Sequence, residues 1–300
     1  MRIVSLLPSG TEIAASLGLM EHIVGVSHEC DFPADARNLP VLTRSILDHD
    51  LSPSEIDDAV AAASLDRKPL YAVDGELLTK LQPDLILTQG VCAVCAVTPS
   101  TIADSLRFVR LENTCTAPVL SLTGTDIVGI QADLRAVAAA CGVEDRAEEV
   151  INDMNQRWNA IPNGAHRPKV LMLEWPDPPW SAGHWVPEQV HAAGGFDPFG
   201  TAGEASRRLT WEDIATADPD IIIASACGFD LQTNLKHIQD SIDNHPEVAA
   251  LRAVKNKQVW AVDANSHFSR PAPRVVEGAE ILARILAGES VAPNQAVQLS

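Results

Sequence analysis

Short runs of apolar, mostly β-branched residues recur along the chain, separated by stretches with helical spacing. These runs predict strands at Ile3–Leu6, Ile23–Ser27, Leu85–Thr88, Val119–Leu122, Val170–Leu173, Ile221–Ala224 and Val259–Val262. Each is apolar at nearly every position rather than at every second one, the pattern of a parallel strand covered on both faces. Helical segments lie between them, as in Thr11–Leu17 and Ser54–Ala63. Alternation of this kind predicts an α/β fold with parallel-rich sheets.

A weak internal repeat suggests two similar lobes. Gly75-Glu-Leu-Leu-Thr-Lys-Leu-Gln-Pro-Asp-Leu-Ile-Leu-Thr resembles Trp211-Glu-Asp-Ile-Ala-Thr-Ala-Asp-Pro-Asp-Ile-Ile-Ile-Ala, each reading as a short helix, a Pro-Asp turn and a buried strand. Between the copies, Asp126 to Ile161 contains no proline, and Glu144 to Ala160 has strong helical composition before Pro162-Asn-Gly ends it. The expected organisation is an N-terminal α/β lobe over 1–140, a connecting helix over 141–163 and a C-terminal α/β lobe over 164–300, with a ligand cleft between the lobes.

Composition narrows the partners. The 300 residues are 46% hydrophobic and 21% charged, enough to build a core and too apolar for wholesale disorder. A net charge of −18 argues against nucleic acid and against adhesion to anionic membranes. No apolar run is long enough for membrane insertion. Met1-Arg2 passes at once into the first strand, without a signal-peptide pattern. The expected location is therefore cytoplasmic, or periplasmic if a signal sequence has been removed.

The candidate chemistry sits where the predicted strands end, the edge at which open parallel sheets collect ligands. The strand exits are Pro8-Ser-Gly-Thr-Glu, Ser27-His-Glu-Cys-Asp-Phe-Pro, Gln89-Gly-Val-Cys-Ala-Val-Cys, Glu174-Trp-Pro-Asp-Pro-Pro-Trp-Ser-Ala-Gly-His-Trp, Cys227-Gly-Phe-Asp and Asp263-Ala-Asn-Ser-His-Phe-Ser-Arg-Pro. They supply candidate ligand contacts at Ser9, Thr11, His28, Glu29, Glu174, Trp175, Trp180, His184, Trp185, Phe229, Asp230, His267 and Phe268. Trp175, Trp180, Trp185, Phe229 and Phe268 form a candidate stacking wall for a flat, mostly apolar ligand. The duller expectation is that at least one of these tryptophans packs the lobe interface.

Cys92 and Cys95 form a Cys-x-x-Cys pair, and Cys30 and Cys227 could complete a four-thiolate site for zinc or an iron–sulfur cluster. Buried, inert thiols are the alternative, and core residence is expected for Cys115 and Cys141. Neither a phosphate-cradling glycine loop nor a serine-hydrolase elbow is present.

The opening Arg2-Ile-Val-Ser-Leu-Leu-Pro-Ser-Gly-Thr-Glu-Ile, the two Pro-Asp-strand units and the helical connector resemble the iron-siderophore/cobalamin periplasmic-binding-protein family over essentially the whole chain. Ser27-His-Glu-Cys-Asp-Phe-Pro, Cys92-Ala-Val-Cys, Gly183-His-Trp-Val-Pro-Glu and Cys227-Gly-Phe-Asp are similar to a cobalamin-binding-protein-like subgroup. The resemblance implies two lobes joined by one long helix and cobalamin or a related corrinoid held between the lobe faces. It also implies delivery to an ABC transporter permease, with Glu76 and Glu204 as possible docking acids. Such a protein serves transport, or carries its ligand inside the cell. The rival expectation is a metalloprotein or enzyme with a cysteine-ligated centre in the same cleft. A cysteine nucleophile with His28 or His184 as base ranks below both.

Overall fold

The structure, a computed structural model, describes residues 1–47, 51–66, 70–90, 116–162 and 166–299. The chain divides into two compact units, one of residues 1–124 and 128–152, the other of residues 125–127 and 153–300.

In the first unit, β1 (Ile3–Ser5) runs directly into α1 (Pro8–Ser16), followed by β2 (Ile23–Val26), β3 (Thr43–Ser45), α2 (Pro53–Asp66), β4 (Tyr71–Val73), α3 (Gly75–Leu81), β5 (Leu85–Gln89) and β6 (Val119–Leu122). Four strands form a parallel sheet in the order β2-β1-β5-β6, while β3 and β4 pair antiparallel. One side of the unit's core gathers Val4, Leu6, Leu42, Val73, Leu78 and Ile86. The helices α4 (Ile127–Cys141) and α5 (Glu144–Ala160) follow, and the boundary between the units falls inside α5. Gly142, at φ +69°, separates the two helices in a backbone region open to glycine without strain.

The second unit opens with β7 (Val170–Pro176) and β8 (Pro179–Ser181), then α6 (Val186–Ala192), β9 (Arg207–Arg208), α7 (Trp211–Ala217), β10 (Ile221–Ala224), α8 (Leu231–Asn244), α9 (Pro246–Ala249) and α10 (Arg252–Lys255). It closes with β11 (Val259–Val262), α11 (Ala264–His267), α12 (Val275–Leu286) and β12 (Ala296–Gln298). The sheet order is β12-β11-β10-β7-β8-β9, parallel over β11-β10-β7 and antiparallel at both edges. Its core gathers Leu171, Leu173, Ile222, Ala224, Val259 and Ala261 from the strands with Trp211, Ile214 and Ile238 from the helices.

Every strand predicted from the apolar runs forms, several with ends shifted by a residue, and two boundaries move further. The first helix begins at Pro8, not Thr11, because proline at the first helical position presets φ and lacks the amide that would go unbonded there. The strand at Val170 continues through Pro176 and turns back as a hairpin, so Glu174, Trp175 and Trp180 are strand residues rather than loop residues.

The two copies of the internal repeat share their anchoring hydrogen bonds. Asp74 caps α3 by accepting from Leu77 N, and Thr210 caps α7 by accepting from Asp213 N. Gln82 and Asp218 then close the two helices in the left-handed conformation. The Pro-Asp turns that follow anchor the neighbouring strand: the Asp84 carboxylate accepts Arg2 N at 2.7 Å and the Asp220 carboxylate accepts Lys169 N at 2.8 Å. The Asp84 and Asp220 amides return the bond to the carbonyls of Arg2 and Lys169. Even the cations correspond, with Arg2 Nε donating to Leu81 O at 2.8 Å and Lys169 Nζ donating to Ala217 O at 2.9 Å. Replacing Asp84 or Asp220 by alanine is expected to lower unfolding free energy in urea by about 1 kcal/mol each, with asparagine retaining most of it. Unchanged stability in both alanine variants would remove the anchoring role.

Candidate functional site

Sheet topology locates a candidate site in each unit. In the first, β1 connects outward to β2 and β5 connects outward to β6, so the connections diverge between β1 and β5. In the second, β7 leads to β8 while β10 leads to β11, and they diverge between β7 and β10. Crevices at the carboxyl ends of such strand pairs are where open α/β sheets bind ligands.

The first crevice is polar and built around a thiol. Gly10 lets α1 approach β1 closely: a β-carbon there would lie 2.8 Å from Ser5 Oγ and 2.9 Å from Leu7 Cδ2. Cys30 is buried, with its sulfur 3.1 Å from Thr11 Oγ1 and 3.2 Å from Ser27 Oγ. Ser9 and Thr11 are themselves buried, so Thr11 serves the thiol rather than presenting its hydroxyl to solvent. Glu29 is exposed beside this cluster and His28 is half-buried, with its Nε2 buried 3.4 Å from Glu29 Oε1. Two residues that sequence reasoning missed hold His28. Thr43 Oγ1 accepts its main-chain N–H at 3.0 Å and lies 2.7 Å from Nδ1, while the Tyr71 ring sits 5.6 Å from the imidazole. Their strands β3 and β4 are three residues each, too short for alternation to show; that Tyr71 is the only tyrosine was the available signal.

The second crevice is aromatic. Trp175 and Trp180 are register partners in the β7–β8 hairpin. Across the divergence of β7 and β10, Trp175 meets Phe229 with ring centroids 5.0 Å apart, and Phe229 stacks on His237 at 4.9 Å. His237 is an addition to the expected wall; burial holds its pKa below the ordinary histidine value. Asp230 is committed to capping α8, its carboxylate accepting from Thr233 N at 2.8 Å.

Behind the hairpin, the Glu174 carboxylate accepts from Ser206 Oγ at 2.8 Å and Gly183 N at 3.3 Å. Burial pushes its pKa up against those two bonds. The following loop is tightly set, with His184 at φ +56° and its N–H donating to Glu204 O. His184 Nδ1 and Trp185 Nε1 are both buried with no hydrogen-bond partner among the described residues. Burial alone lowers the His184 pKa, keeping the ring neutral at physiological pH. Trp185 is buried and edge-on to His184 at 5.9 Å.

Phe268, expected in the wall, and His267, expected at the ligand, both lie in the interior. Both are buried, and their segment packs against α6 and α12, where Gln189 Nε2 donates to His267 O and Val275 O. Gly278 permits this approach, since a β-carbon there would collide with Gln189 and the His267 carbonyl. A helical turn that sequence reading treats as loop therefore turns both side chains into the core.

The four-thiolate centre finds no support. Cys92, Cys95 and Cys115 lie outside the described residues, and Cys30 and Cys227 belong to different units. Among the described residues, no three His, Cys, Asp or Glu side chains gather as a metal site. No described helix is long and apolar enough to cross a membrane.

Residues 3–265 match the sequence profile of the periplasmic binding protein family. A vitamin B12-binding protein of Vibrio cholerae serotype O1 is 23% identical over 288 residues, covering 93% of this chain and 86% of its own length. The solved periplasmic vitamin B12 binding protein of Vibrio cholerae superposes with a TM-score of 0.59 at 20% identity, covering 95% of this chain and 96% of that one. A periplasmic heme binding protein from Pseudomonas aeruginosa superposes with a TM-score of 0.69 at 18% identity, covering 100% and 98%.

Burial, reinforced by the Arg274 charge, lowers the His267 pKa to about 4. Unfolding frees the ring to bind a proton near pH 6.5, so stability is lost as pH falls from about 6.5 towards 4. The loss amounts to about 3 kcal/mol at the acid end of that window. Urea unfolding of the parent against His267→Gln should show the parent losing about 2 kcal/mol more than the variant between neutral pH and pH ~5. A parallel pH dependence in the two proteins would contradict it.

Proposed function

The chain belongs to the periplasmic binding protein family, and on that footing we propose that it binds cobalamin or a related corrinoid. The observation that carries this reading is the ring ladder Trp175–Phe229–His237, set where the β7 and β10 connections diverge. A row of half-buried rings matches a large, flat macrocycle. The buried, unpartnered His184 Nδ1 and Trp185 Nε1 nearby add polar groups of the kind a bound molecule or water satisfies.

Relatives by fold include both vitamin B12 and heme binding proteins, and charge favours the first chemistry here. Glu29 and Asp230 are exposed at the strand exits, in a chain of net charge −18. Such a rim repels the carboxylates of a heme and accepts hydrogen bonds from the amide edge of a corrinoid. The protein then serves an ABC transporter, with exposed Glu76 and Glu204 as the acids offered to the permease.

The test is a titration with hydroxocobalamin and, separately, with hemin, read by tryptophan fluorescence and visible absorbance. Hydroxocobalamin is expected to bind with strong quenching, and hemin at least tenfold more weakly. Trp175→Ala should weaken corrinoid binding by about 1–3 kcal/mol while Trp175→Phe retains most of it. Tight hemin binding without corrinoid binding would overturn the assignment.

A further inference from the structure

The buried face of α8 runs Leu231, Asn234, Ile238 and Ser241, so an asparagine stands where helical spacing calls for an apolar side chain. Asn234 is 1% exposed, and a buried amide is costly unless its polar atoms are bonded. Both ends of this amide are bonded, and all its partners lie outside the helix. Oδ1 accepts from Ala226 N at 2.8 Å, while Nδ2 donates to Phe229 O and to Val262 O, each at 3.3 Å. A main-chain N–H can only donate and a carbonyl can only accept, so these partners fix which way the amide points.

The partners are the two ends of one turn and the end of a neighbouring strand. Ala226 and Phe229 bracket the turn that leaves β10, closed by Phe229 N donating to Ala226 O, and Val262 is the last residue of β11. One side chain therefore ties the backbone of Phe229 to both strands. Gly228, at φ +84° in the same turn, is held separately by Asn265 Oδ1 of α11, which accepts its N–H at 3.1 Å. α8 also carries His237, three residues beyond Asn234, whose ring stacks on that of Phe229. Asn234 thus sets the backbone under one ring while its helix sets the position of the next.

We propose that Asn234 is the positioning residue of the ring ladder, holding Phe229 in contact with both Trp175 and His237 and acting on the ligand through that ring alone. Its effect on binding rests on the function proposed above, whereas the positioning is a property of the protein by itself.

The experiment compares the full-length parent with Asn234→Asp and Asn234→Ala, each alone and combined with Phe229→Ala. Asn234→Asp keeps the shape and the acceptor but removes both donors. Without ligand, ¹H–¹³C NMR of the histidine rings reads the stacking, because the ring current of Phe229 shifts the His237 protons, which His237→Gln assigns. In Asn234→Asp those signals should move towards their position in Phe229→Ala, while the His22 signals of the first unit stay fixed. With hydroxocobalamin as the probe, Asn234→Asp should weaken binding about tenfold in the parent and by under about twofold in the Phe229→Ala background. Unmoved His237 signals, or an equal loss of affinity in the two backgrounds, overturn the proposal. Global unfolding of both Asn234 variants also overturns it, since the residue would then determine the fold and not the ladder. If the rings behave as described and hydroxocobalamin binds none of the proteins, the corrinoid reading falls while the positioning role of Asn234 is upheld.

Discussion

Two aspartates after two prolines, Asp84 and Asp220, set the geometry on which the rest depends. Each carboxylate accepts, and each amide returns, a hydrogen bond to the residue just before a central strand: Arg2 before β1 and Lys169 before β7. These bonds fix where β5 begins against β1 and β10 against β7, so Ile3 pairs with Leu85 and Val170 with Ile221. A slip of one residue would turn every side chain of a strand to the opposite face. The same registers determine where those strands end, and therefore which side chains reach the two crevices.

The crevices built on this common frame differ in character. That of the first unit joins a buried thiol to two hydroxyls, with His28 and Glu29 beside it. That of the second is a ladder of rings backed by a buried carboxylate, Glu174, whose pKa burial raises. The first is polar and the second offers aromatic area to a flat apolar surface.

Much of the fold was legible because parallel strands buried on both faces leave near-continuous apolar runs, as in Ile221–Ala224. The Pro-Asp repeat was legible for the same reason, and its hydrogen bonds turned a loose similarity into a shared device. Less was legible where tertiary pairing, not local pattern, decides. β3 and β4 exist because Thr43 and Val73 pair across a long intervening stretch, and the role of Thr43 went with them. The hairpin carrying Trp175 and Trp180 was hidden by prolines at both ends of its turn. Residue type at a strand exit did not foresee burial at Thr11 and Phe268, where a helix starting early and a helical turn after β11 take the side chains into the interior.

The most direct test of the account is backbone hydrogen exchange of the whole protein with and without hydroxocobalamin. Protection should appear at the strand exits of the second unit, in residues 175–185 and 227–230. Protection confined to surfaces away from those exits, with the Trp175–Phe229 segment unchanged, would contradict it.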